Sequence, residues 1–378
     1  MEELKLDPQR QQKAKAYARI QRRFMVLDLL LGGLYALAWL ILGWSVSLKA
    51  TLFTFITHDW LLVAGFIAVF GGIYYLIGLP LSYLTGFTLP HRFEMSNQTI
   101  KGWISDQIKG LLLGAVLGGL ALEIIYAVLR KFPDTWWLWA AGIMLIFSVI
   151  LANLAPVLLL PIFYKIEPLG EEHSELINRL TNLAENANTR VQGIFKFDIS
   201  RRSKAANAAL TGLGNTRRII LGDTLLDEFS TDEIETVIAH ELGHHVHNDI
   251  PIGIAIESIF TLGGFYLASL GLNWGVRYFG LAGTADISTF PLFLLVLGAY
   301  GLVTMPLGNA FSRYRERRAD EYALRATEKG GAYAAAMTRL ANQNLADADP
   351  EPWVEWLLYS HPALSKRIKM ATTFKDMQ

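Results

Sequence analysis

The chain has 378 residues, of which 52% are hydrophobic and 18% charged, and its mean hydropathy is +0.30; soluble domains carry about 25% charged residues, so a purely soluble protein is excluded. The 34 lysines and arginines balance the 34 aspartates and glutamates, which excludes bulk positive charge as a means of binding nucleic acid. Because the chain contains no cysteine, it has no disulfide framework, no thiol nucleophile and no thiolate metal site, and any metal ligand must be a histidine or a carboxylate.

The first 23 residues form a basic, polar segment ahead of a long apolar run. Basic residues collect on the cytoplasmic side of membrane helices, so we expect the N-terminus to lie in the cytoplasm. The run that follows, residues 24–46, is too long for the core of a signal peptide and predicts a membrane helix. The basic residues of the segment are Lys5, Arg10, Lys13, Lys15, Arg19, Arg22 and Arg23.

Six apolar runs are long enough to cross the hydrocarbon core, which requires about 20 helical residues. Pro291 and Pro306 bracket the last and shortest run. Because proline disfavours a helix interior, the sequence defines the ends of this run less sharply than its presence. An even number of crossings returns the C-terminus to the cytoplasmic side. The six runs are 24–46, 60–86, 108–129, 136–163, 250–272 and 290–305.

The polar remainder falls into two stretches that together have the size of one ordinary domain. The sequence therefore predicts a mainly α, multi-pass membrane protein with one cytoplasmic domain split by a membrane hairpin. The predicted parts are a basic cytoplasmic segment (1–23), a four-helix membrane region (24–163), the first domain part (164–249), the hairpin (250–309) and the second domain part (310–378).

A pair of histidines lies on a helix whose start the sequence marks. Ser230 and Glu233 have the spacing of a capping box, which predicts that a helix begins here. His240 and His244 lie one above the other on one face of that helix, so both can bind one metal ion. Glu241 can take a proton from a water held by that ion, as in the HExxH pattern of zinc hydrolases.

The alternative is a chance match on a histidine-rich helix. Four of the eight histidines lie between His240 and His247 on this capped helix, which favours the metal site. His247 lies about 10 Å along the axis from His240, and His245 points roughly 100° away. We therefore interpret His245 and His247 as groups around the ligands or in solvent.

The third ligand is predicted on a second helix. Glu316, Ala319, Asp320 and Ala323 follow the i, i+3, i+4, i+7 spacing, which gives an acidic face small enough for another backbone to approach. Asp320 can accept the free ring N–H of a metal-binding histidine and fix its tautomer. The alternative is a solvated face with i, i+4 ion pairs, since arginines surround it. These are Arg313, Arg315, Arg317 and Arg318.

Together these motifs resemble the M48 metallopeptidases, and more closely their integral-membrane branch, the Ste24-type CAAX prenyl proteases. The resemblance covers about residues 78–368. The motifs that carry it are His240-Glu241-x-x-His244, Glu316-x-x-Ala319-Asp320 with Asn309 upstream, Arg202-Ser203 to Asn207-Ala208, His361-Pro362 with Arg367, and Ser96-Asn97-Gln98-Thr99 with Trp103, Asp106 and Lys109.

The resemblance implies a gluzincin-like α+β zinc protease domain with one Zn²⁺ per chain. His240, His244 and Glu316 would bind the ion, and Glu241 would act as the base. The residues expected to support the ligands are Asp320 and Asn309.

The resemblance also implies a substrate site. His361 would hold the substrate carbonyl or its oxyanion, although the sequence without the resemblance favours a surface histidine before a helix that begins at Pro362. Asn207 and Ala208 would lie at an edge strand that binds the substrate backbone, and Arg367 would be a further substrate-binding residue.

Three acidic residues lie within predicted membrane segments. Ionised groups there generally face a partner or a cavity, and the resemblance implies a water-filled chamber between the membrane helices. Glu123 and Glu257 are the better candidates for its wall, whereas Asp28 could instead extend to the interface.

The expected activity is hydrolysis of peptide bonds by a membrane-embedded zinc endopeptidase in the plasma membrane of a prokaryote. Its expected partners are the lipid bilayer and a peptide or protein substrate that is lipidated or membrane-associated. Nucleotides are not expected, because no phosphate-binding glycine motif follows a credible strand. Two alternatives remain: an HtpX-like protease for membrane-protein quality control, and a non-enzymatic transporter or binding protein. The predicted six membrane helices, against seven in the eukaryotic branch, place the prenylated substrate in question.

Overall fold

The computed structural model describes residues 5–212 and 217–375. The ends of the predicted first and last segments, residues 1–4 and 376–378, lie outside this range. The helices of the N-terminal half are α1 Pro8–Ile41, α2 Trp44–Phe53, α3 Asp59–Tyr83, α4 Leu89–Arg92, α5 Ile100–Lys131, α6 Trp136–Leu154 and α7 Leu160–Phe163, with π-helical turns at Leu84–Thr88 and Ala155–Leu159.

The C-terminal half contains a small sheet and eight further helices. The strands are β1 Ile166–Pro168, β2 Ile194–Phe197, β3 Ala208–Thr211 and β4 Arg218–Gly222. The helices are α8 Ser174–Asn186, α9 Asp223–Glu228, α10 Thr231–Val246, α11 Asp249–Phe279, α12 Phe290–Thr327, α13 Gly330–Gln343, α14 Pro352–Leu358 and α15 Leu364–Lys375.

Six helical segments of the described chain are long and apolar enough to cross a membrane. This confirms the predicted number and the predicted multi-pass class. The segments are Pro8–Ile41, Asp59–Arg92, Ile100–Lys131, Trp136–Phe163, Asp249–Phe279 and Ile287–Thr327.

The helix that contains the first apolar run begins well before residue 24 and ends before residue 46. Helix α1 begins at Pro8, where the Asp7 side chain caps two backbone N–H groups. The helix ends at Ile41 because Gly43 adopts a positive φ of 70°, a conformation that glycine adopts at little cost. The polar start of α1 is helical because it packs on the predicted protease domain, where Gln11 donates to the carbonyl of Ala346 at 3.2 Å.

The helix that contains the last apolar run extends past residue 305. Pro306 lies inside α12, which continues without a break to Thr327. A proline removes one backbone hydrogen bond, and a long helix held by its neighbours can absorb that loss. A single rigid helix therefore carries both the last membrane segment and Glu316.

The four strands form one sheet in the order β1-β2-β4-β3. Strand β4 is parallel to β2 and antiparallel to β3, with Ala208 opposite Leu221 and Thr211 opposite Arg218. Strand β3 is thus an edge of the sheet, with one side of its backbone unpaired within the described residues.

Two hydrophobic cores organise the molecule. The core of the predicted protease domain joins residues from both sides of the membrane hairpin, including Leu180, Ile219, Leu242, Leu324 and Ala371. A second core, which contains Phe66, Tyr126 and Trp136, joins the membrane helices. The protease domain is therefore a single packed unit, although the chain leaves it to form α11 and the membrane part of α12.

The acidic residues of the membrane segments have different surroundings. Glu257 lines a cavity of about 360 Å³ between α11 and α12, together with Tyr300. Glu123 is half-buried and Asp28 is exposed. Their part in a water-filled chamber stays a prediction.

Helices α10 and α12 come closest at Gly243 and Ala319, where α10 has no side chain and α12 has only a methyl group. A Cβ added to Gly243 would lie 2.9 Å from the Cα of Ala319. Any residue other than glycine would force the two backbones apart. The small face predicted at Ala319 therefore meets a second small residue on α10.

We predict that Gly243→Ala destabilises the protein and weakens metal binding. Alanine favours a helix over glycine by about 1 kcal/mol, but overpacking costs about 1 to 3 kcal/mol, and the shift of α12 would move Glu316. Thermal unfolding and a metal titration would measure both effects. The control is Gly308→Ala, since the space around Gly308 is open. Metal affinity equal to that of the unaltered protein in Gly243→Ala would contradict the prediction.

Candidate active site

Helix α10 presents the HExxH residues, as predicted. Ser230 and Glu233 form the complete capping box at its start. His240 is buried and 6% exposed, while Glu241 and His244 are half-buried. The two imidazole rings lie 4.9 Å apart and nearly perpendicular. Their Nε2 atoms both face α12.

Glu316 completes a group of three potential ligands. Its Oε2 lies 3.2 Å from Nε2 of His240, and its Oε1 lies 3.3 Å from Nε2 of His244. One ligand atom from each of the three residues lies within 4.8 Å of the others. Residues from two helices, separated in the chain by α11, thus converge on one point.

The chemistry of this group suits a divalent cation. Oε2 of Glu316 is buried and has no hydrogen-bond partner within the described residues, although Nε2 of His240 lies 3.2 Å away. Two lone-pair acceptors that face each other at this distance are stabilised by a cation between them. Two imidazoles and one carboxylate are a ligand set that zinc hydrolases use.

The electrostatics agree with this interpretation. Burial lowers the pKa of His240, but the neighbouring carboxylates of Asp320 and Glu316 outweigh it and raise the pKa to about 9. The position therefore stabilises positive charge strongly, whether a proton or a metal ion carries it.

Asp320 lies behind His240. Its Oδ1 is 2.7 Å from Nδ1 of His240, and Tyr333 donates a hydrogen bond to the same carboxylate. This contact fixes the tautomer in which Nε2 carries the lone pair. Asp320 thus occupies the supporting place that the sequence predicts for it.

Arg367 lines the cavity that also contains His361, and its part in substrate binding stays a prediction. Its guanidinium is buried and donates to both oxygens of Asp320, at 2.9 Å from Nε and 2.5 Å from Nη2. It also donates to Tyr333 at 3.0 Å. Arg367 therefore compensates the buried charge of Asp320 and holds it against His240.

A second acid, Asp249, supports a histidine of the group, and the sequence patterns did not indicate it. Its Oδ2 lies 2.7 Å from Nδ1 of His244, and its side chain is 2% exposed. Arg315 donates to the backbone carbonyl of Asp249 at 3.2 Å. The signal in the sequence is an aspartate five residues after His244, at the point where Asn248 with its φ of 55° reverses the chain.

His361 lies at the edge of the group. Its Nε2 is 3.4 Å from Oε1 of Glu316, and 58% of its side chain is exposed. Ser360 Oγ lies 2.9 Å from the other ring nitrogen. An exposed histidine ring beside the potential ligands can donate a hydrogen bond to a bound group.

Asn309 supports the segment before His361. Its Nδ2 donates to the carbonyl of Leu357 at 2.7 Å. Arg313, one turn further along α12, donates to the carbonyls of Glu355 and Tyr359 at 2.9 and 2.5 Å. The side chain of Asn309 thus contacts α14, and its expected support of a ligand stays a prediction.

Asn207 and Ala208 lie at the edge of the sheet. The carbonyl of Asn207 accepts from the N–H of Gly222 at 2.8 Å, and Ala208 begins β3. Both residues line an apolar cavity of about 810 Å³ that also includes Ile250 and Ile254 of α11. The edge strand, the start of the hairpin and the membrane helices thus enclose one space.

The remaining histidines of α10 lie outside the group. His247 faces the backbone of α12, with Nε2 3.3 Å from the carbonyl of Arg318. His245 is half-buried, and burial together with Arg217 lowers its pKa. Neither belongs to the three-residue group found in the described chain.

Family profiles match both halves of the chain. The profile of Peptidase family M48 matches residues 171–375, which include the whole three-residue group. The chain belongs to peptidase family M48. The profile described as CAAX prenyl protease N-terminal, five membrane helices, matches residues 2–165.

Relatives in sequence and structure agree. The chain is 29% identical to an uncharacterized metalloprotease, YhfN, of Bacillus subtilis over 95% of this chain and 84% of that protein. It is 33% identical to CAAX prenyl protease 1 of Saccharomyces cerevisiae over 80% of this chain and 70% of that protein. The crystal structure of S. mikatae Ste24p matches with a TM-score of 0.87 and 26% identity, covering 97% of this chain and 90% of that one. The M48 protein described here is thus a membrane-embedded metalloprotease of the Ste24 type.

We predict that Asp249→Asn weakens metal binding about 10- to 100-fold, the usual effect of removing a carboxylate behind a metal-binding histidine. The amide keeps the size of the side chain but loses the charge that favours the required tautomer of His244. Competition with a chromophoric chelator measures the affinity. As a control, Asp232→Asn alters an exposed acid near the start of the same helix. Equal metal affinity in the two variants would show that Asp249 has no role at the site.

Proposed function

We propose that this M48 protein is a zinc endopeptidase that cleaves peptide bonds at the cytoplasmic face of the membrane. The observation that carries the proposal is the convergence of His240, His244 and Glu316 beside Glu241 and His361. In this arrangement, the three ligands would hold one Zn²⁺.

Two carboxylates that contact the proposed histidine ligands orient them for metal binding. Asp320 and Asp249 accept the Nδ1–H groups of His240 and His244, so both Nε2 lone pairs face Glu316. A bound zinc ion lowers the pKa of a water molecule from about 15.7 toward 7 and polarises the scissile carbonyl.

Two side chains of the chain would carry the proton and the developing charge. Glu241 accepts the proton of the attacking water and passes it to the leaving amine, which is the work of a general base and then a general acid. His361 donates a hydrogen bond to the oxyanion, a role that its exposed ring beside Glu316 allows. The hydrolysis consumes one water and yields a carboxylate and an amine.

The substrate would lie along β3. The unpaired edge of this strand can bind an extended backbone whatever its side chains, and the adjoining apolar cavity accommodates large hydrophobic groups. Because membrane helices form part of that cavity, membrane-associated or lipidated peptides are the favoured substrate class. The name of the yeast relative, CAAX prenyl protease 1, supports the lipidated class.

The basic residues near the start of α1 support a cytoplasmic position for the N-terminus. The same helix contacts the protease domain, so the site would lie on that side too. The similarity to a Bacillus metalloprotease supports the plasma membrane of a prokaryote.

Of the alternatives, quality control of membrane proteins uses the same chemistry and differs only in substrate. The non-enzymatic alternative has no support, because the family and the complete ligand set both indicate catalysis. The proteolytic alternatives differ in whether the enzyme selects a lipidated end or an unfolded segment.

We predict that Glu241→Gln retains about one zinc per chain and loses peptide hydrolysis by a factor of about 10² to 10⁴, the usual contribution of a general base. The ligands are unchanged in this variant, so elemental analysis should show full metal content. Turnover of a fluorogenic peptide gives the rate, and Glu235→Gln on the same helix is the control. Full activity in Glu241→Gln would exclude the proposed role.

The substrate class is tested with purified protein in nanodiscs. We predict that a farnesylated CAAX peptide is cleaved at least about tenfold more efficiently, in kcat/KM, than the same peptide without its lipid, since burial of each CH₂ contributes about 0.8 kcal/mol. The comparison includes an unfolded membrane protein. Preferential cleavage of that protein would instead support quality control.

A further inference from the structure

A bidentate ion pair ties the segment ahead of β3 to a membrane helix. Arg202 donates to both oxygens of Asp106, at 2.7 Å from Nε and 2.8 Å from Nη2. Asp106 lies near the start of α5, and only 14% of the Arg202 side chain and 17% of the Asp106 side chain are exposed. A fork of two parallel hydrogen bonds fixes orientation as well as distance.

Groups from several segments surround Arg202 and Asp106. Gln98 donates to the same carboxylate at 2.7 Å, and the guanidinium lies 4.8 Å from the centre of the Tyr164 ring. The carbonyl of Arg202 accepts from the N–H of Asn97 and from Oγ of Ser96, both at 3.1 Å. Both the main chain and the side chain of Arg202 are therefore fixed.

The chain between Arg202 and β3 is held at successive points. The N–H of Lys204 donates to the carbonyl of Met95 at 3.1 Å. Ala206 exchanges two hydrogen bonds with the side chain of Asn344, at 2.8 and 3.1 Å. The Asp106–Arg202 pair is therefore the first of several anchors that lead from α5 to the edge strand.

The same segment faces the catalytic histidine. Arg202, Ser203 and Ala205 line a cavity of about 650 Å³, and His361 lines it as well. The position of this segment therefore decides how a peptide that leaves β3 meets the group at Glu316.

We infer that the Asp106–Arg202 pair is a positioning device that sets the place of edge strand β3 relative to the metal-binding group. This inference rests on the proposed function, in which β3 binds the substrate backbone. Neither residue touches the reacting atoms. The pair acts through β3, so its loss affects the binding of extended substrates rather than the chemical step.

The test compares Arg202→Lys and Arg202→Met in the full chain in nanodiscs, with zinc, on two substrates. One is an extended peptide of about ten residues, which can pair along β3, and the other is a blocked dipeptide, which spans only the scissile bond. For the long peptide we expect KM to rise about tenfold with kcat within about twofold, the pattern of lost uniform binding. For the dipeptide we expect kcat/KM to stay unchanged, as should the metal content.

Arg179→Met is the matched control, since it removes an exposed arginine that pairs with Glu175 and Asp232 in the same domain. An unchanged KM for the long peptide in Arg202→Lys, or an equal loss of kcat/KM on both substrates, would overturn the inference. If Arg202→Met does not fold, Arg202→Lys decides alone, because it keeps the charge but cannot form the fork. Failure of the unaltered zinc-loaded protein to cleave either substrate would overturn the proposed function and this inference with it.

Discussion

The approach of α10 to α12 without an intervening side chain is the constraint on which the site depends. Gly243 leaves no Cβ at the point where Ala319 comes closest. The two histidines project from one side of this contact and Glu316 from the other. Both helices are parts of a packed core, so the backbone, rather than flexible loops, sets the distances between the ligand atoms.

The membrane hairpin contributes residues directly to this site. Its first helix begins with Asp249, which holds His244, and its second helix carries Glu316 and Asp320. Three buried carboxylates near two imidazoles concentrate negative charge, which Arg367 and Arg315 offset in part. The negative charge that remains favours a metal cation at the three-residue group.

Local patterns predicted much of this arrangement. The capping box, the spacing of His240 and His244, and the acidic face at Glu316 are periodic signals within single helices, and the six apolar runs are signals of length. The role of Asp249 depends on a reversal at Asn248, and the roles of Arg367 and Asn309 depend on contacts between distant segments. Asp249 was missed and the contacts of Arg367 and Asn309 were not predicted, because periodicity carries no information about which distant segment a side chain meets.

Hydropathy measures only how well a segment suits the lipid interior. It therefore did not predict that the polar start of α1 is helical and packs on the protease domain. Three membrane elements hold three parts of that domain: α1 through Gln11, α5 through Asp106 and the hairpin through Asp249. A domain attached at three separate places cannot swing away from the bilayer without breaking buried polar contacts. Strand β3 therefore stays next to the membrane helices, which is the position that the proposed membrane-associated substrates require.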